Sequence, residues 1–425
     1  MDWVYLALAT LGCALTVIVW HPPRGRANII GFLVGWLYGE LALHHVMAQV
    51  LVMAGFSAAG WLDSRLGHIG FAVALAGWVG LTAHWLTGLR NAPRVEAALA
   101  RCFGPDYAQR IPPDTRSTLR RRIDWASVAW PFSPRRGHAV RRRRDIPFAR
   151  AGGVDLLLDV YGPAAGGTGL PVLLQIHGGA WTLGTKNDQA LPLMYHMAER
   201  GWLCVALSYR LSPRATYPDH LIDCKRGLAW VREHIAAYGG DPDFIVATGG
   251  SAGGHLCSML ALTPDESDLQ PGFESADLRL QGCIPFYGVY DWAGRSPRPQ
   301  HAPMLQLLER TVVKKRLDDD PLAFRQASPM WRVRSDAPPF LVVHGDVDSL
   351  VAVEDGRDFA ELLEKESSAP VAYLEILGAQ HAFEIIDSVR AQHAVNAAAR
   401  FCAVIHSDYL AKRRRPARPR AVFGQ

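Results

Sequence analysis

Apolar side chains dominate residues 1–90, in three stretches at residues 4–20, 29–54 and 69–89. Each stretch is near or above the length of about 20 residues that a helix needs to cross a bilayer. The pattern predicts three transmembrane helices. A cleaved signal peptide is the competing interpretation of the first stretch, but Met1-Asp2-Trp3 supplies no basic segment before it and two further stretches follow.

Small residues recur every four positions in two of these stretches. The residues are Gly31, Gly35 and Gly39 in the second stretch and Ala72, Ala76 and Gly80 in the third. Such spacing favours close helix packing, although glycine and alanine are frequent in membrane helices in any case. Glu40 and His44 lie one helical turn apart in the second stretch, where ionisable groups are costly, and we expect them to hydrogen-bond to each other.

The pattern changes after residue 145, where short apolar runs alternate with helical ones. The strand candidates are residues 156–161, 172–176, 203–207, 244–247, 283–287, 341–343 and 371–376, and the clearest helix candidates are 219–238 and 353–365. This alternation predicts an α/β fold with a mostly parallel sheet covered by helices on both faces.

Residues 292–333 interrupt the alternation just before the strand candidate 341–343, and we expect them to form a small cap over the sheet. Apolar residues in this segment either line a ligand pocket or simply pack on the core; they are Met304, Leu305, Leu307 and Leu308. The predicted organisation is therefore 1–90 transmembrane helices, 91–145 basic juxtamembrane linker, 146–410 α/β domain and 411–425 basic disordered tail.

Arginine is concentrated in the linker and the tail, so the formal net charge of +5 understates the local charge. The linker clusters are Arg120-Arg121-Arg122, Arg135-Arg136 and the run 141–144. Such clusters bind anionic lipid head groups, with a gain of about 1 kcal/mol in binding free energy per basic side chain near the membrane surface. Trp125, Trp130 and Phe132 are suited to the interface. The alternatives are a solvated linker and, more weakly, nucleic-acid binding, which no recognition fold accompanies.

Arginine bias also predicts the orientation. Arg24 and Arg26 follow the first apolar stretch, Arg65 is offset by Asp63 after the second, and the segment after the third is arginine-rich. The positive-inside rule places the N-terminus outside and the large domain on the cytoplasmic face.

A candidate nucleophile lies where the run 244–247 enters a helix. Gly249-Gly250-Ser251-Ala252-Gly253 fits G-x-S-x-G, in which a strained turn exposes the serine and small neighbours let strand and helix pack closely. An ordinary tight turn has the same composition. Further motifs must therefore decide whether Ser251 is a nucleophile.

A second loop supplies candidate donors for an oxyanion. Strand candidate 172–176 runs into His177-Gly178-Gly179-Ala180-Trp181, which resembles an H-G-G-G oxyanion loop. We expect the backbone amides of Gly178, Gly179 and Ala180, with that of Ala252, to form the hole. A phosphate-binding loop fits less well, because Thr185 separates Gly184 from Lys186.

A serine nucleophile needs an acid and a base, which follow it along the chain in that order. His381 lies between a strand candidate and a helix, whereas His393 and His406 fall inside the helix. The acid is Asp348 or Asp346; the H-G-x-x-D spacing from His344 favours Asp348, which leaves Asp346 as a loop cap. The predicted triad is Ser251, Asp348 and His381.

With these motifs, residues 146–408 resemble an α/β-hydrolase of the hormone-sensitive-lipase-like carboxylesterase group. The resemblance also includes residues 209–213, Tyr217-Pro218, Gly240-Asp241-Pro242 and 337–340. With the apolar N-terminal region, the chain is similar to membrane-associated carboxylesterases of mycobacteria and related actinobacteria. The chain departs from the group at Ala180, where the third glycine is expected, and at Arg214, where an acidic residue is common.

The resemblance implies a serine carboxylesterase or lipase that hydrolyses acyl esters through an acyl-enzyme, without metal or organic cofactor. The seven cysteines are scattered and suggest neither disulfides nor a zinc site. An acyltransferase or amidase on the same triad, or a non-catalytic membrane interaction module, remain alternatives.

Overall fold

The structure is a computed structural model that describes residues 2–119, 122–132 and 139–414. Arg120, Arg121, Arg135 and Arg136 of the predicted basic clusters, and residues 415–425 of the predicted tail, lie outside the described residues.

An eight-stranded sheet organises most of the described chain. Its strands are β1 (Val140–Ala151), β2 (Val154–Pro163), β3 (Leu170–Ile176), β4 (Leu203–Leu207), β5 (Gly240–Gly250), β6 (Gly282–Phe286), β7 (Phe340–Gly345) and β8 (Val371–Ile376). The spatial order is β1-β2-β4-β3-β5-β6-β7-β8, with β1 and β2 antiparallel to their neighbours and all later pairs parallel. All seven predicted strands are confirmed.

Fourteen α-helices occur in the described residues. They are α1 (Asp2–Trp20), α2 (Asn28–Glu40), α3 (Ala42–Ala58), α4 (Arg65–Leu89), α5 (Asn91–Phe103), α6 (Pro113–Thr118), α7 (Trp125–Ala129), α8 (Leu191–Ala198), α9 (Asp219–His234), α10 (Ala252–Leu262), α11 (His301–Leu307), α12 (Pro321–Gln326), α13 (Val353–Glu366) and α14 (Val389–Arg414). The helices predicted at 219–238 and 353–365 are α9, with the 3₁₀ turn that follows it, and α13.

Side chains of the sheet alternate between two hydrophobic cores. On β3, Val172 and Leu174 enter the core that includes α9, α10 and α13, whereas Leu173 enters the core of α5, α8 and α14. Successive strand residues point to opposite faces, so both faces must be covered. This is the predicted three-layer α/β architecture. The predicted cap at 292–333 is a set of short helical turns that includes α11 and α12.

The predicted linker at 91–145 requires correction, because two parts of it belong to the folded domain. Helix α5 buries Val95 and Leu99 in the core that contains Phe401. The arginine run 141–144 lies on edge strand β1, where Arg142 Nε donates to the buried carboxylate of Asp159 at 2.9 Å. A run of arginines reads as a solvated linker in sequence, but alternate residues of an edge strand can still pair across the sheet.

The N-terminal helices form a small bundle. Helices α1 and α4 run parallel, since Tyr5 packs against Gly70 and Trp20 Nε1 donates to the carbonyl of Gly80 at 3.0 Å. Helix α3 runs antiparallel to α1, since Tyr5 Oη donates to Met53 Sδ at 2.9 Å and Gln49 lies against Gly12. The small face of α4 consists of Gly70, Ala74 and Gly77, which are buried. Of the three residues predicted for this face, Ala72 and Ala76 are exposed, whereas Gly80 is half-buried and lies against Thr16.

The second predicted span is bent. Helix Gly25–Glu40, which includes α2, meets α3 at 79° rather than continuing it. The expected hydrogen bond between Glu40 and His44 is consequently wrong, because the two residues lie on opposite sides of the break. Glu40 Oε2 lies 3.8 Å from Arg390 Nη1, and His44 Nε2 lies 3.1 Å from the carbonyl of Ala129.

Within the described residues, two helical segments are long and apolar enough, by length and composition, to cross a membrane. They are Asp2–Trp20 and Arg65–Phe103, and the bent pair would make a third crossing if it counts as one span.

Candidate active site

Ser251 occupies a strained turn between β5 and α10. Its backbone has φ 57° and ψ −120°, which L-residues rarely adopt. A Cβ on Gly249 or Gly253 would come within 2.6 or 2.1 Å of the carbonyl oxygen of Ile176, so only glycine fits there. The small residues therefore let β5, β3 and α10 approach closely and leave the serine at the tip of the turn.

Asp348 and His381 meet across the ends of β7 and β8. His381 Nδ1 lies 2.7 Å from Asp348 Oδ2, and both side chains are buried. The loop after β7 holds the carboxylate through the amides of Leu350 and Val351, which both donate to Asp348 Oδ1 at 2.9 Å. This leaves Nε2 of His381 as the ring nitrogen available to a serine hydroxyl.

His344 is a second partner of Asp348 that the sequence reasoning did not assign. Its Nε2 lies 3.3 Å from Asp348 Oδ2, and both side chains are fully buried. Burial by itself would raise the pKa of Asp348, but His381 and His344 together hold that pKa well below its usual range. Asp348 is therefore a carboxylate at neutral pH. The spacing of four residues between His344 and Asp348 is the only signal the sequence offers.

Asp346 has a different partner. Its Oδ1 accepts a hydrogen bond from the amide of Gly378 at 2.6 Å, which ties the loop after β7 to the loop after β8. Burial raises the pKa of Asp346. Of the two aspartates that the sequence leaves open, Asp348 is the one in contact with His381.

The loop after β3 lies beside the serine turn. A Cβ on Gly178 would meet the carbonyl of Gly250 at 2.5 Å and Cβ of Ser251 at 3.2 Å. His177 shapes this loop, since its Nδ1 lies 2.8 Å from the carbonyl of Gly178 and its ring stacks on Tyr209 at 4.3 Å.

The candidate oxyanion donors differ in availability. The amide of Gly178 already donates to Gln189 Oε1 at 2.6 Å, so it is not a free donor. Gly178 instead allows this loop to lie close to the serine turn. In the described chain, the amides of Gly179, Ala180 and Ala252 have no such acceptor. Ala180 has φ 52°, a conformation that glycine adopts without strain. Gln189 was not singled out in the sequence because no motif includes it.

Tyr287 contacts both the histidine and the residue before the serine. Its ring centroid is 4.5 Å from that of His381, and its hydroxyl would be 2.7 Å from a Cβ on Gly250, the residue before Ser251. Among the described residues, Ser251 Oγ and His381 Nε2 are not hydrogen-bonded to each other. Catalytic hydrogen bonds of this kind are often long without substrate and tighten when it binds.

Behind Tyr287 lies a buried carboxyl group that the sequence reasoning missed. The Tyr287 hydroxyl donates to Oε2 of Glu384. Burial raises the pKa of Glu384 to about 7. The carboxyl therefore takes up a proton as the pH falls through about 7.

An apolar cavity lies beneath the cap. Its lining includes Met304, Leu305 and Leu308 together with Val289 and Leu350. Leu350 follows Asp348 by two positions in the chain. Leu307, the fourth predicted pocket residue, instead packs against the core. The cap residues therefore both line a cavity and support the core.

Comparison with known proteins decides the family. The probable carboxylic ester hydrolase LipM of Mycobacterium tuberculosis is 41% identical over 419 residues, which cover 95% of this chain and 93% of LipM. The chain belongs to the hormone-sensitive-lipase-like carboxylesterases. Esterase LipQ of the same organism is 38% identical over 92% of this chain and 88% of its own. The family BD-FAE matches residues 158–363.

Solved structures agree with this carboxylesterase assignment. Esterase 2 of Thermogutta terrifontis superposes with a TM-score of 0.52 at 26% identity, covering 63% of this chain and 94% of its own. The chain therefore has the α/β-hydrolase fold and is an enzyme that acts on carboxylic ester bonds.

Proposed function

We propose that Ser251, His381 and Asp348 form a catalytic triad that hydrolyses acyl esters through an acyl-enzyme. The observation that carries this proposal is the 2.7 Å contact between His381 and Asp348, beside a serine on a strained turn. Asp348 fixes the tautomer of His381 with a proton on Nδ1, so Nε2 is the basic nitrogen. No metal or organic cofactor is required for this chemistry.

In the proposed mechanism, His381 Nε2 removes the hydroxyl proton of Ser251, whose oxygen attacks the ester carbonyl. The tetrahedral oxyanion accepts hydrogen bonds from the amides of Gly179, Ala180 and Ala252. One such donor is worth roughly 3 to 4 kcal/mol of barrier. His381 then protonates the leaving alcohol, and water, activated by the same histidine, releases the acid. Asp348 stabilises the imidazolium in both steps.

Two alternatives use the same fold differently. An acyltransferase or amidase shares the triad but changes the group that accepts the acyl chain or the bond that breaks. An interaction module keeps the fold without turnover. Hydrolysis is favoured by the family, whose relatives LipM and LipQ carry ester hydrolase and esterase names.

The deciding experiment is hydrolysis of nitrophenyl esters of increasing acyl length by the full chain in detergent, with Ser251→Ala beside it. We expect turnover that the substitution abolishes and a fluorophosphonate probe that labels Ser251. Turnover that rises strongly when an alcohol is added, with the ester of that alcohol as product, would favour an acyltransferase. Folded protein that neither turns over nor is labelled would favour the interaction module.

We propose further that residues 1–90 anchor the enzyme in a membrane by three crossings, with the hydrolase on the cytoplasmic face. The parallel course of α1 and α4 supports an odd number of crossings, because the chain between these two helices must return once across the bilayer. It also puts Arg24 and Arg26, after α1, on the side of the hydrolase. An ester that partitions into lipid, such as an acylglycerol, is the substrate class that fits this location.

Aromatic side chains next to the bundle support contact with the membrane surface. Trp125, Trp130 and Phe132 are exposed, and Trp125 packs on Trp85 of α4 at 6.0 Å between ring centroids. Arg122 lies close by in sequence and would favour anionic head groups.

A depth measurement tests this anchor. A nitroxide on Phe132→Cys in liposomes, with the two cysteines that are not buried (Cys13 and Cys102) changed to serine, should show collisions with oxygen typical of a bilayer interface. Val154→Cys, an exposed position at the start of β2, is the matched control and should report water. Identical water-like signals at both positions would contradict the interfacial position.

A further inference from the structure

Helix α2 of the N-terminal bundle lies directly against the two loops that carry Asp348 and His381. The ring of Phe32 meets that of His381 edge to face, with centroids 5.8 Å apart and an interplanar angle of 83°. Trp36, one turn further along, stacks on Phe32 at 5.6 Å. The aromatic face of a segment that resembles a membrane helix is thus part of the surroundings of the candidate base.

Gln380 connects α2 with both loops through one buried amide group. Its Oε1 accepts hydrogen bonds from the amides of Ser349, at 2.7 Å, and His381, at 2.9 Å. Its Nε2 donates to the carbonyl of Gly31 on α2 at 3.3 Å. Gly35 leaves room for this arrangement, because a Cβ there would lie 2.9 Å from Gln380 Nε2.

A second hydrogen bond joins the same elements. Ser349 Oγ donates to the carbonyl of Asn28, the first residue of α2, at 3.0 Å. Ser349 follows Asp348 directly, so both the acid loop and the base loop are tied to one helix. Such contacts hold catalytic groups in a productive geometry, and misplacement of about 1 Å is costly in rate.

The opposite face of α2 is apolar and exposed. Its exposed side chains are Ile29, Ile30, Leu33 and Leu37. A helix with one face on the reaction centre and an exposed apolar face is suited to lie between a lipid phase and the site.

We propose that Phe32 contacts the alcohol part of the ester, that this alcohol is bulky and apolar, and that Gln380 is the positioning residue that couples α2 to the triad loops. The inference rests on the proposed triad. His381 must deliver its proton to the oxygen of the leaving alcohol, so a side chain packed on His381 lies on the alcohol side of the ester rather than the acyl side. An apolar alcohol buries its surface against Phe32 and Trp36.

Kinetics of the full chain in detergent test the role of Phe32. Acetate esters of ethanol, butanol and octanol probe the alcohol side, and ethyl esters of acids of matching length probe the acyl side. Phe32→Ala should lower kcat/KM for octyl acetate about tenfold more than for ethyl acetate, and should leave the acyl preference unchanged. Leu33→Ala, on the exposed face of the same helix, should behave as wild type in both series. A loss that is equal for all alcohols, or that follows acyl length, would overturn the assignment.

Gly35→Ala tests the role of Gln380 without touching either loop. The added methyl displaces the Gln380 amide, and we expect kcat per active site and the rate of fluorophosphonate labelling to fall about tenfold with little change in KM. Gly55→Ala on α3 is the matched control, because a Cβ there meets nothing within 4 Å. A purely structural contact would lower the melting temperature but leave the labelling rate of folded Gly35→Ala at the wild-type value, and that result would overturn the proposal.

The labelling experiment also separates the two proposals. If Ser251 of the wild type is not labelled, the triad fails and the role of α2 fails with it. If Ser251 is labelled equally fast in wild type, Phe32→Ala and Gly35→Ala, and the alcohol preference does not change, the triad stands and only the role of α2 is overturned.

Discussion

His381 Nδ1 and Asp348 Oδ2 are 2.7 Å apart, whereas Asp346, two residues before Asp348, accepts a hydrogen bond from Gly378 instead. The two aspartates share a loop, although Asp348 is buried and Asp346 half-buried, and they differ in the group they contact. The loop after β7 thus separates a carboxylate that orients the imidazole from one that ties two loops together.

The pair Asp348→Asn and Asp346→Asn should separate these roles. Asp348→Asn loses the charge that stabilises imidazolium and can hold the wrong tautomer, so kcat should fall by about 10⁴-fold. Asp346→Asn keeps an oxygen for the Gly378 amide and should stay within a few-fold of wild type. Steady-state hydrolysis of a nitrophenyl ester by both variants is the measurement. Comparable losses in the two variants would argue against Asp348 as the acid.

Ala180→Gly should be tolerated and slightly stabilising. Alanine at φ 52° costs roughly 1 to 2 kcal/mol, and the greater freedom of glycine in the unfolded chain offsets about 0.4 to 1 kcal/mol of that. The amide donor is retained, so turnover should stay close to wild type. Ala237→Gly, in the 3₁₀ turn after α9, is the contrasting variant and should lower the free energy of unfolding by roughly 0.5 to 1 kcal/mol. Denaturant unfolding of both variants checks the signs.

Glu384 should make stability depend on pH in the direction opposite to an ordinary ion pair. Its folded-state pKa is raised to about 7 by burial, so the folded protein binds more protons than the unfolded chain between about pH 4.5 and 7. Stability from this group is fully present below that window and is lost as the pH rises through it, by up to about 3 kcal/mol. Glu384→Gln, which stays neutral, should remove the loss, as unfolding at pH 5 and pH 8 would show.

Glu375→Gln provides the contrast for that experiment. Burial alone would raise the pKa of Glu375, but its partners Arg357 and Tyr373 lower it. Arg357 Nε donates to Glu375 at 2.8 Å. The contribution of the Glu375 carboxylate to folding stability is therefore present at neutral pH and lost on acidification. Glu375→Gln should destabilise the protein at pH 7 and have less effect near pH 4. The same slope for both variants would show that Glu384 is not held protonated.

Arg390 should be essential for docking the N-terminal helices on the hydrolase. Its guanidinium is buried, and donates to the carbonyls of His84, at 2.6 Å, and Leu377, at 2.8 Å. Lysine cannot reproduce this fork, and each carbonyl left without a donor costs about 1 to 3 kcal/mol. Arg390→Lys should therefore lower thermal stability markedly in detergent, whereas Arg316→Lys, at an exposed arginine, should not. Equal melting temperatures would show that the buried arginine is dispensable.

Much of the hydrolase could be predicted because its signals are local. Short apolar runs between helical segments locate seven of the eight strands, and the glycines around Ser251 reflect a turn in which a Cβ on Gly253 would strike Ile176. Strand β1 was missed because its run of arginines resembles a solvated linker in sequence. Its pairing with β2 is a tertiary contact that the sequence pattern does not show.

Other features depend on contacts between residues far apart in the chain. The bend between α2 and α3 falls within one continuous apolar stretch, so hydropathy alone predicts a straight span. Gln189, which takes up the amide of Gly178, and His344, which shares Asp348 with His381, belong to no motif that assigns them these partners.

The sequence by itself determined the layered α/β fold, the apolar character of the N-terminal segment and the candidate residues Ser251, Asp348 and His381. These follow from side-chain periodicity and from turns whose stereochemistry admits only certain residues. Only the tertiary structure decided that Asp348 rather than Asp346 meets His381, and that Phe32 lies against the same histidine. The physical reason is that hydrophobic burial is non-directional. The apolar side chains of α2 favour burial but do not specify the surface on which α2 packs. The hydrogen bonds of Gln380 and Ser349 to α2 select that surface.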